Sequence, residues 1–460
     1  MVVAYVCVLV FWGMIGYLVH FMVSDSQQII NNSYNKRQEL LAQKVIRGEI
    51  LSADGKVLAQ TVTDGDGKEV REYPYEEMFC HVVGRTANSM TGIEGAQSFP
   101  LLTSHSNPFK QLVNEFQGVK SQGDSVVTTL DFELQQVAYQ ALGNHKGAVV
   151  AMEPSTGKIL AMVSKPDYDP NTVLEEWDRL LEDSEEKSAL LNRATQGLYP
   201  PGSTFKILTA LEYMQEKAFY KKYRYDCKGK IISQGNSISC YNHEQHGAVN
   251  LRQSLAKSCN GSFANIGMML DIDSFRELCE RFRFNKKLGV NFEYNPSQFS
   301  LNKDSSVGEV MQTSIGQGKT MITPLQNALI SAAIANDGIM MTPYLVDYVK
   351  NDVNRKVTEY KPKKEAEVIS KEEANRITKM MKAVINEGTA SSLKYLSYPV
   401  AGKTGTAEYD SAGNSHAWFV GFAPAGKPKI VISVIVEEAG TGSQYAVPIA
   451  KQMLQQYLGD

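Results

Sequence analysis

The first 24 residues, MVVAYVCVLVFWGMIGYLVHFMVS, contain no Asp, Glu, Lys or Arg, and the first charged side chain is Asp25. About twenty apolar residues suffice to cross a bilayer as a helix. This stretch is apolar on every side, which argues against a half-buried helix of a soluble core. A cleaved signal would bring a basic leader, a shorter apolar stretch and small residues at the cut. None is present, so the expectation is an uncleaved anchor at residues 1–24, with the lipid bilayer as a partner and the rest of the chain on one side of it. Lys36 and Arg37 are the first basic residues after the span and none precedes it. A positive-inside count therefore weakly favours the cytoplasm for the body, whereas the chemistry developed below needs the outer face. The expectation adopted is a single-pass plasma-membrane protein with an extracellular body.

That body carries 21% charged and 43% hydrophobic residues over the full 460, an ordinary globular balance with length for two or three domains. A net charge of −3 leaves no polyanion-binding surface, which excludes nucleic acid as a partner. Residues 25–45 are polar and read as a stalk, helical toward KRQELLAQKVI. Residues 46–125 hold short apolar runs broken by turn residues, with a hairpin signal at Asp54-Gly55, and read as a small mixed pedestal domain.

From Val126 to residue 460 the pattern changes. VVTTLDFELQQVAYQALGNH reads as a strand end, an N-cap at Asp131 and a helix. GAVVAMEPSTGKILAMVS reads as two strands around a turn at Pro154, Ser155, Thr156 and Gly157. HAWFVGFAP and PKIVISVIVEEA are two further strands, apolar enough for burial on both faces, and YAVPIAKQMLQQYL is a closing helix. The intervening sequence is mostly helical. The expected fold is α+β, with one antiparallel sheet joining the two ends of this domain and helices flanking it.

Residues 201–206 read PGSTFK. The prolines and Gly202 break the chain, and Ile207, Leu208, Leu211 and Met214 then follow at helical spacing. Ser203 therefore sits at a helix N-terminus with Lys206 one turn on, on the same face. The partial positive charge of a helix start favours an alkoxide there. Ser-x-x-Lys begins at seven serines in this chain, so the pattern alone does not separate a nucleophile from a helix cap. A lysine base must be neutral, and lowering its pKa from about 10.4 to 7 requires burial together with a second nearby cation. Residues 402–407, GKTGTA, supply that second amine at Lys403, and Lys-[Ser/Thr]-Gly occurs once in the chain. Upstream, AKSCNGSF supplies Ser258 and Asn260.

The order Ser-x-x-Lys, Ser-x-Asn, Lys-Thr-Gly resembles the penicillin-binding proteins with a transpeptidase domain. RGEILSADGKVLA and GIEGAQ resemble pedestal motifs of class B members, GAVVAMEPSTGKILAMVSKPDYDPN resembles the first transpeptidase strands, and SIGQGKTMITPLQ resembles a loop beside the site. The resemblance covers about residues 45–455. It implies a penicillin-binding/β-lactamase-like transpeptidase domain and a peptidoglycan-cross-linking serine acyltransferase acting on D-Ala-D-Ala stem peptides, with an amine as acceptor and β-lactams as acylating agents. By resemblance Ser203 is the nucleophile, Lys206 its base, and Ser258 a proton shuttle toward Lys403. Asn260 holds the donor amide, and Thr404 and Thr406 grip the substrate carboxylate. Gly405 leaves room for an extended peptide. The N–H groups of Ser203 and Thr406 form an oxyanion hole. No cofactor is implied for catalysis, and a membrane-embedded glycan polymerase is the implied protein partner.

About 100 residues between the anchor and Val126 are too few for a glycosyltransferase domain, which favours a monofunctional class B member. No Glu between Ser203 and Lys403 has Asn four places later, so the deacylating carboxylate of class A β-lactamases is missing. A penicillin hydrolase, a DD-carboxypeptidase and a non-catalytic penicillin-binding scaffold stand as the alternatives.

Cys227, Cys240 and Cys259 share a window with His246, spaced C-x12-C-x5-H-x12-C. Cys3His is a tetrahedral zinc set, although these spacings are longer than in zinc knuckles. A Cys227–Cys240 disulfide and unpaired buried thiols are the other readings, and His243 is the alternative imidazole. Some elongation-type relatives are similar in carrying metal ligands here. A structural zinc would brace Ser258 and Asn260 through Cys259.

Overall fold

The computed structural model describes residues 2–24, 36–182, 188–409 and 413–459. Helix α1 spans Val2–Ser24, and its Val2–Phe21 segment has a mean hydropathy of 2.3 with none of it buried against the rest of the chain. At 1.5 Å per residue, about twenty residues reach the roughly 30 Å of a hydrocarbon core. The first part of the stalk lies outside the described residues; its end is helix α2, Lys36–Lys44.

Strands β1 (Ile50–Leu51), β2 (Val57–Thr63) and β3 (Glu69–Glu72) follow, with the Asp54-Gly55 turn between β1 and β2. Helix α3, Pro108–Gln117, is capped by the Asn107 side chain, and β4 is Ser125–Thr128. Asp131 caps α4 (Phe132–Leu142) by accepting from Leu134 N at 2.9 Å. Strands β5 (Gly147–Met152) and β6 (Ile159–Lys165) form the hairpin read from the sequence. Helices α5 (Lys206–Glu216), α6 (Asn260–Gly267) and α7 (Pro324–Ala335) come next. Strands β7 (Val346–Lys350) and β8 (Lys356–Glu359), helix α8 (Lys371–Glu387), strands β9 (Ala401–Glu408), β10 (Ser415–Ala423) and β11 (Ile430–Val436), and helix α9 (Ala446–Leu458) close the chain.

The last three strands and the first hairpin make one antiparallel sheet ordered β9-β10-β11-β5-β6, so the two ends of the domain meet in it as expected. Every residue of β5 and β11 is buried, because α4 and α9 pack together against the sheet and α7 packs on it as well. β9 is left at an edge.

The second sheet adds short strands to a middle region that is otherwise mostly helical, as expected. Its order is β8-β7-β4-β1-β2-β3, so β7 and β8 add to the pedestal strands. β4 pairs with β1 in parallel and with β7 antiparallel, and residue 126 therefore sits inside a strand shared by the two parts. Short half-polar strands such as VDYVK carry little periodicity; their pairing across the chain creates them.

The pedestal is pinned by a buried carboxylate. Glu94 of GIEGAQ meets Arg47 of RGEIL at 2.7 Å and Arg71 of β3 at 2.7 Å, with no exposure of the Glu94 side chain. Burial alone would raise its pKa, but the two guanidinium groups outweigh that and hold it below the usual carboxylate range.

Candidate active site

The turn that carries Ser203 is wedged between β9 and the 315–318 loop. Gly202 has φ +53°, and a Cβ there would lie 2.7 Å from Thr406 O. Its N–H donates to Gly316 O at 2.8 Å, and Trp418 Nε1 donates to Pro200 O at 3.1 Å. A 3-10 turn over Gly202–Phe205 then leads into α5, so Ser203 stands at a helix start.

Lys206, the first residue of α5, is fully buried. Its Nζ is within hydrogen-bond distance of Ser203 Oγ at 2.9 Å, Asn260 Oδ1 at 2.6 Å, Ser258 O at 2.8 Å and Ser258 Oγ at 3.3 Å. Lys403 on β9 is also fully buried; its Nζ donates to Ser258 Oγ at 2.9 Å and Thr404 O at 2.8 Å. The Ser258 hydroxyl thus bridges two amines that are 197 positions apart in sequence (403 minus 206). Ser258 itself has φ +56°, a left-handed conformation that costs a non-glycine residue energy and recurs at functional sites. Asn260 opens α6, and its Nδ2 donates to Ser239 O at 2.9 Å, which fixes the amide orientation. The structure therefore assembles Ser203, Lys206, Ser258, Asn260 and Lys403 into one hydrogen-bonded constellation.

Burial lowers the Lys206 pKa to about 8. Burial, followed by repulsion from Lys206, holds Lys403 well below the ordinary lysine value. The sequence reading asked for burial and a second nearby cation together to neutralise Lys206. In the folded chain burial leads for both amines, and the repulsion is felt at Lys403.

Gly405 also has a different reason from the one expected. A Cβ there would lie 2.9 Å from Trp418 Cβ, 3.2 Å from Thr204 Cγ2 and 3.3 Å from Pro201 O. The residue is small so that the nucleophile's turn and Trp418 can close on β9, and the position faces packed atoms instead of an open groove. Thr404, on the alternate face, bonds through its hydroxyl to Thr389, a residue just beyond α8 that sequence reasoning missed and that no local signal marks. Thr406 is half-buried beside the same turn.

Cys227, Cys240, Cys259 and His246 gather nearby, each ligand atom within 4.8 Å of the others. His243 is exposed and stands outside the group. The Cys227 and Cys240 sulfurs are 3.6 Å apart, too far for a disulfide, which needs about 2.05 Å. Cys240 to Cys259 is 3.8 Å and Cys227 Sγ to His246 Nδ1 is 3.5 Å. A tetrahedral zinc with bonds of about 2.3 Å to sulfur and 2.0–2.1 Å to nitrogen has edges of about 3.8 Å and 3.5 Å. The donor types therefore fit zinc, and these three edges match its spacing.

The family model for the penicillin binding protein transpeptidase domain matches residues 147–455, and that for the penicillin binding protein A dimerisation domain matches residues 47–126. Peptidoglycan D,D-transpeptidase PbpA of Mycolicibacterium smegmatis is 33% identical over 462 residues, covering 93% of this chain and 90% of the relative. The Mycobacterium tuberculosis protein of the same name is 32% identical over 470 residues, covering 94% and 91%. Among solved structures, the ceftriaxone acyl-enzyme complex of penicillin-binding protein A from M. tuberculosis superposes with a TM-score of 0.83 at 31% identity, covering 92% of this chain and all of that one. The D,D-transpeptidase domain of a peptidoglycan glycosyltransferase from Eggerthella lenta gives a TM-score of 0.81 at 30% identity, covering 90% and 98%.

Proposed function

The chain belongs to the class B penicillin-binding proteins, and from that membership and the site geometry we infer how it works as a serine-type D-Ala-D-Ala transpeptidase that cross-links peptidoglycan and is acylated by β-lactams. The observation that carries the reading is the Lys206–Ser203 contact at 2.9 Å between a buried amine and a hydroxyl at a helix start. Neutral Lys206 takes the Ser203 proton as Oγ attacks the carbonyl of the penultimate D-Ala. The N–H groups of Ser203 and Thr406 receive the oxyanion. The proton then passes through Ser258 Oγ to the leaving amine of the terminal D-Ala, which departs and leaves an acyl ester on Ser203. An acceptor amine attacks that ester and breaks its bond to Ser203 Oγ, which recovers its hydroxyl proton from the amine through the same relay. Asn260 would hold the donor amide, and Thr404 and Thr406 would grip the terminal carboxylate. Supplying a labelled D-amino acid as acceptor tests this. Exchange into the stem peptide is expected to exceed hydrolysis; hydrolysis alone would turn the assignment to a carboxypeptidase, and rapid β-lactam turnover to a hydrolase.

Cys227, Cys240, His246 and Cys259 would hold a structural zinc. Its contribution would be mechanical, since Cys259 lies between Ser258 and Asn260 and a bound ion would fix the left-handed turn that aims both. Metal analysis of freshly purified protein is expected to give about one zinc per chain, falling sharply in Cys240→Ser. Native protein without zinc removes the idea.

Helix α1 would anchor the protein in the membrane, and a peptidoglycan substrate would require the catalytic domain on the outer face. A membrane-embedded glycan polymerase is the fitting partner. Helix α3 supplies a surface for it, with Phe109 74% exposed, Leu112 51% and Phe116 85% along one face. That helix lies where the stalk arrives: Lys44 pairs with Glu115 at 3.5 Å and Lys120 Nζ donates to Ala42 O at 2.9 Å. Phe109→Asp with Phe116→Asp is expected to weaken co-purification with the polymerase at least about fivefold while penicillin labelling persists. Undiminished co-purification would exclude this face.

A further inference from the structure

The free edge of β9 is shorter than the strand. In an antiparallel pair, alternate residues turn both main-chain polar groups toward the partner and the others turn theirs away. Tyr409 N donates to Asn414 O across the β9–β10 connection. Glu408 therefore faces outward, and with the unbroken register so do Thr406 and Thr404. Thr404 O is taken by Lys403 Nζ at 2.8 Å. Thr406 O lies beside the nucleophile's turn, 2.7 Å from a Cβ placed on Gly202.

The next outward rung is filled from within the chain. The end of the Gln317 side chain lies 3.2 Å from Glu408 O and 3.0 Å from Glu408 N, and with the amide assigned so that its nitrogen meets the carbonyl and its oxygen meets the N–H, it donates to Glu408 O and accepts from Glu408 N. These are the two bonds that a residue of an added strand would make. Gln317 is held firmly for this task. Its own N–H donates to Gln312 O at 2.9 Å, and it sits between Gly316 at φ +83° and Gly318 at φ +84°. A Cβ on Gly316 would fall 1.8 Å from Gly202 O, so the loop that carries Gln317 is the one that backs the nucleophile's turn.

We infer that Gln317 is a specificity-determining residue whose amide occupies the Glu408 rung, so that an acyl donor lying along β9 pairs with the strand at Thr406 and is turned off the edge one rung later. One rung is two residues, or about 6.8 Å of strand. The ligand class is a peptide, or the acylamino side chain of a β-lactam, on the acyl side of the reacting carbonyl. Main-chain length beyond the first rung gains no strand bonds while Gln317 is in place. The inference rests on the transpeptidase reading and adds to it where donor recognition along the strand stops.

The test uses the full-length protein in detergent and two penicillins with the same nucleus, benzylpenicillin and a derivative whose side chain is lengthened by two peptide units. Second-order acylation rate constants are measured for the wild type, Gln317→Ala and Gln317→Asn, with thermal melting followed in parallel. In Gln317→Ala the ratio of long to short is expected to rise at least fivefold, with Gln317→Asn also raised. A ratio within twofold of the wild type, or equal losses for both compounds with a lowered melting temperature, overturns the inference and leaves Gln317 as a brace for the loop. Failure of both penicillins to acylate the wild type overturns the functional reading, and this inference with it.

Discussion

Ser203→Ala forms no adduct with a fluorescent penicillin, and peptide mapping of the wild-type adduct finds the label on Ser203. This is the largest effect expected for any single substitution. Ser203 Oγ is the hydroxyl at the start of α5 that a buried amine contacts directly, at 2.9 Å. Removing a nucleophile leaves only binding and oxyanion stabilisation, and losses of about 10⁴-fold or more are usual. The fold should tolerate the change. Lys206 keeps Ser258 O and Asn260 Oδ1 as acceptors, and Gly202 still closes on β9. A well-folded Ser203→Ala protein that still carries the label would mean that another of the chain's Ser-x-x-Lys serines is the reactive one.

Acylation accelerates about tenfold per pH unit below pH 8 and levels off above it, and Lys206→Ala removes both that limb and about 10³-fold of the rate. The active base is the neutral amine. Burial lowers the Lys206 pKa to about 8, so raising the pH toward that value fills the reactive form. At pH 7 about one molecule in ten carries it; an ordinary lysine near 10.4 would leave about one in several thousand. Lys403 is held well below its ordinary value by burial and then by Lys206, so the pair sharing the Ser258 hydroxyl resists holding two protons at once. A flat profile from pH 6 to 9, or a Lys206→Ala protein that acylates at the wild-type rate, would remove Lys206 from the role of base.

The reactive groups were legible because their chemistry is local. Ser203 and Lys206 are one helical turn apart, Ser258 and Asn260 flank a cap, and Asp131 bonds within its own helix start. Helix geometry fixes such neighbours without reference to the rest of the chain. The Cys227, Cys240, Cys259 and His246 set was legible as a composition, but the imidazole had two candidates. Only the packing of residues 225–259 buries His246 among the sulfurs and leaves His243 in solvent.

Other features had no local trace. The pairing of β7 with β4 joins segments more than two hundred residues apart and carries the pedestal sheet across the domain boundary drawn from the sequence. Thr389 reaches Thr404, and Gln317 reaches Glu408, through contacts that neither residue's own surroundings specify.

The long apolar N-terminal helix, the strands and helices with strong periodicity, and the order of the candidate site residues could be read from the chain alone, because each follows from interactions within a few positions. Long-range folding brings two lysines far apart in the chain to one hydroxyl, makes Gly405 small for the sake of Trp418 and Pro201, and sets the Gln317 side chain against the Glu408 backbone. Those outcomes depend on long-range burial, which removes water from charges and brings backbones into contact, and no short stretch of residues encodes that separately.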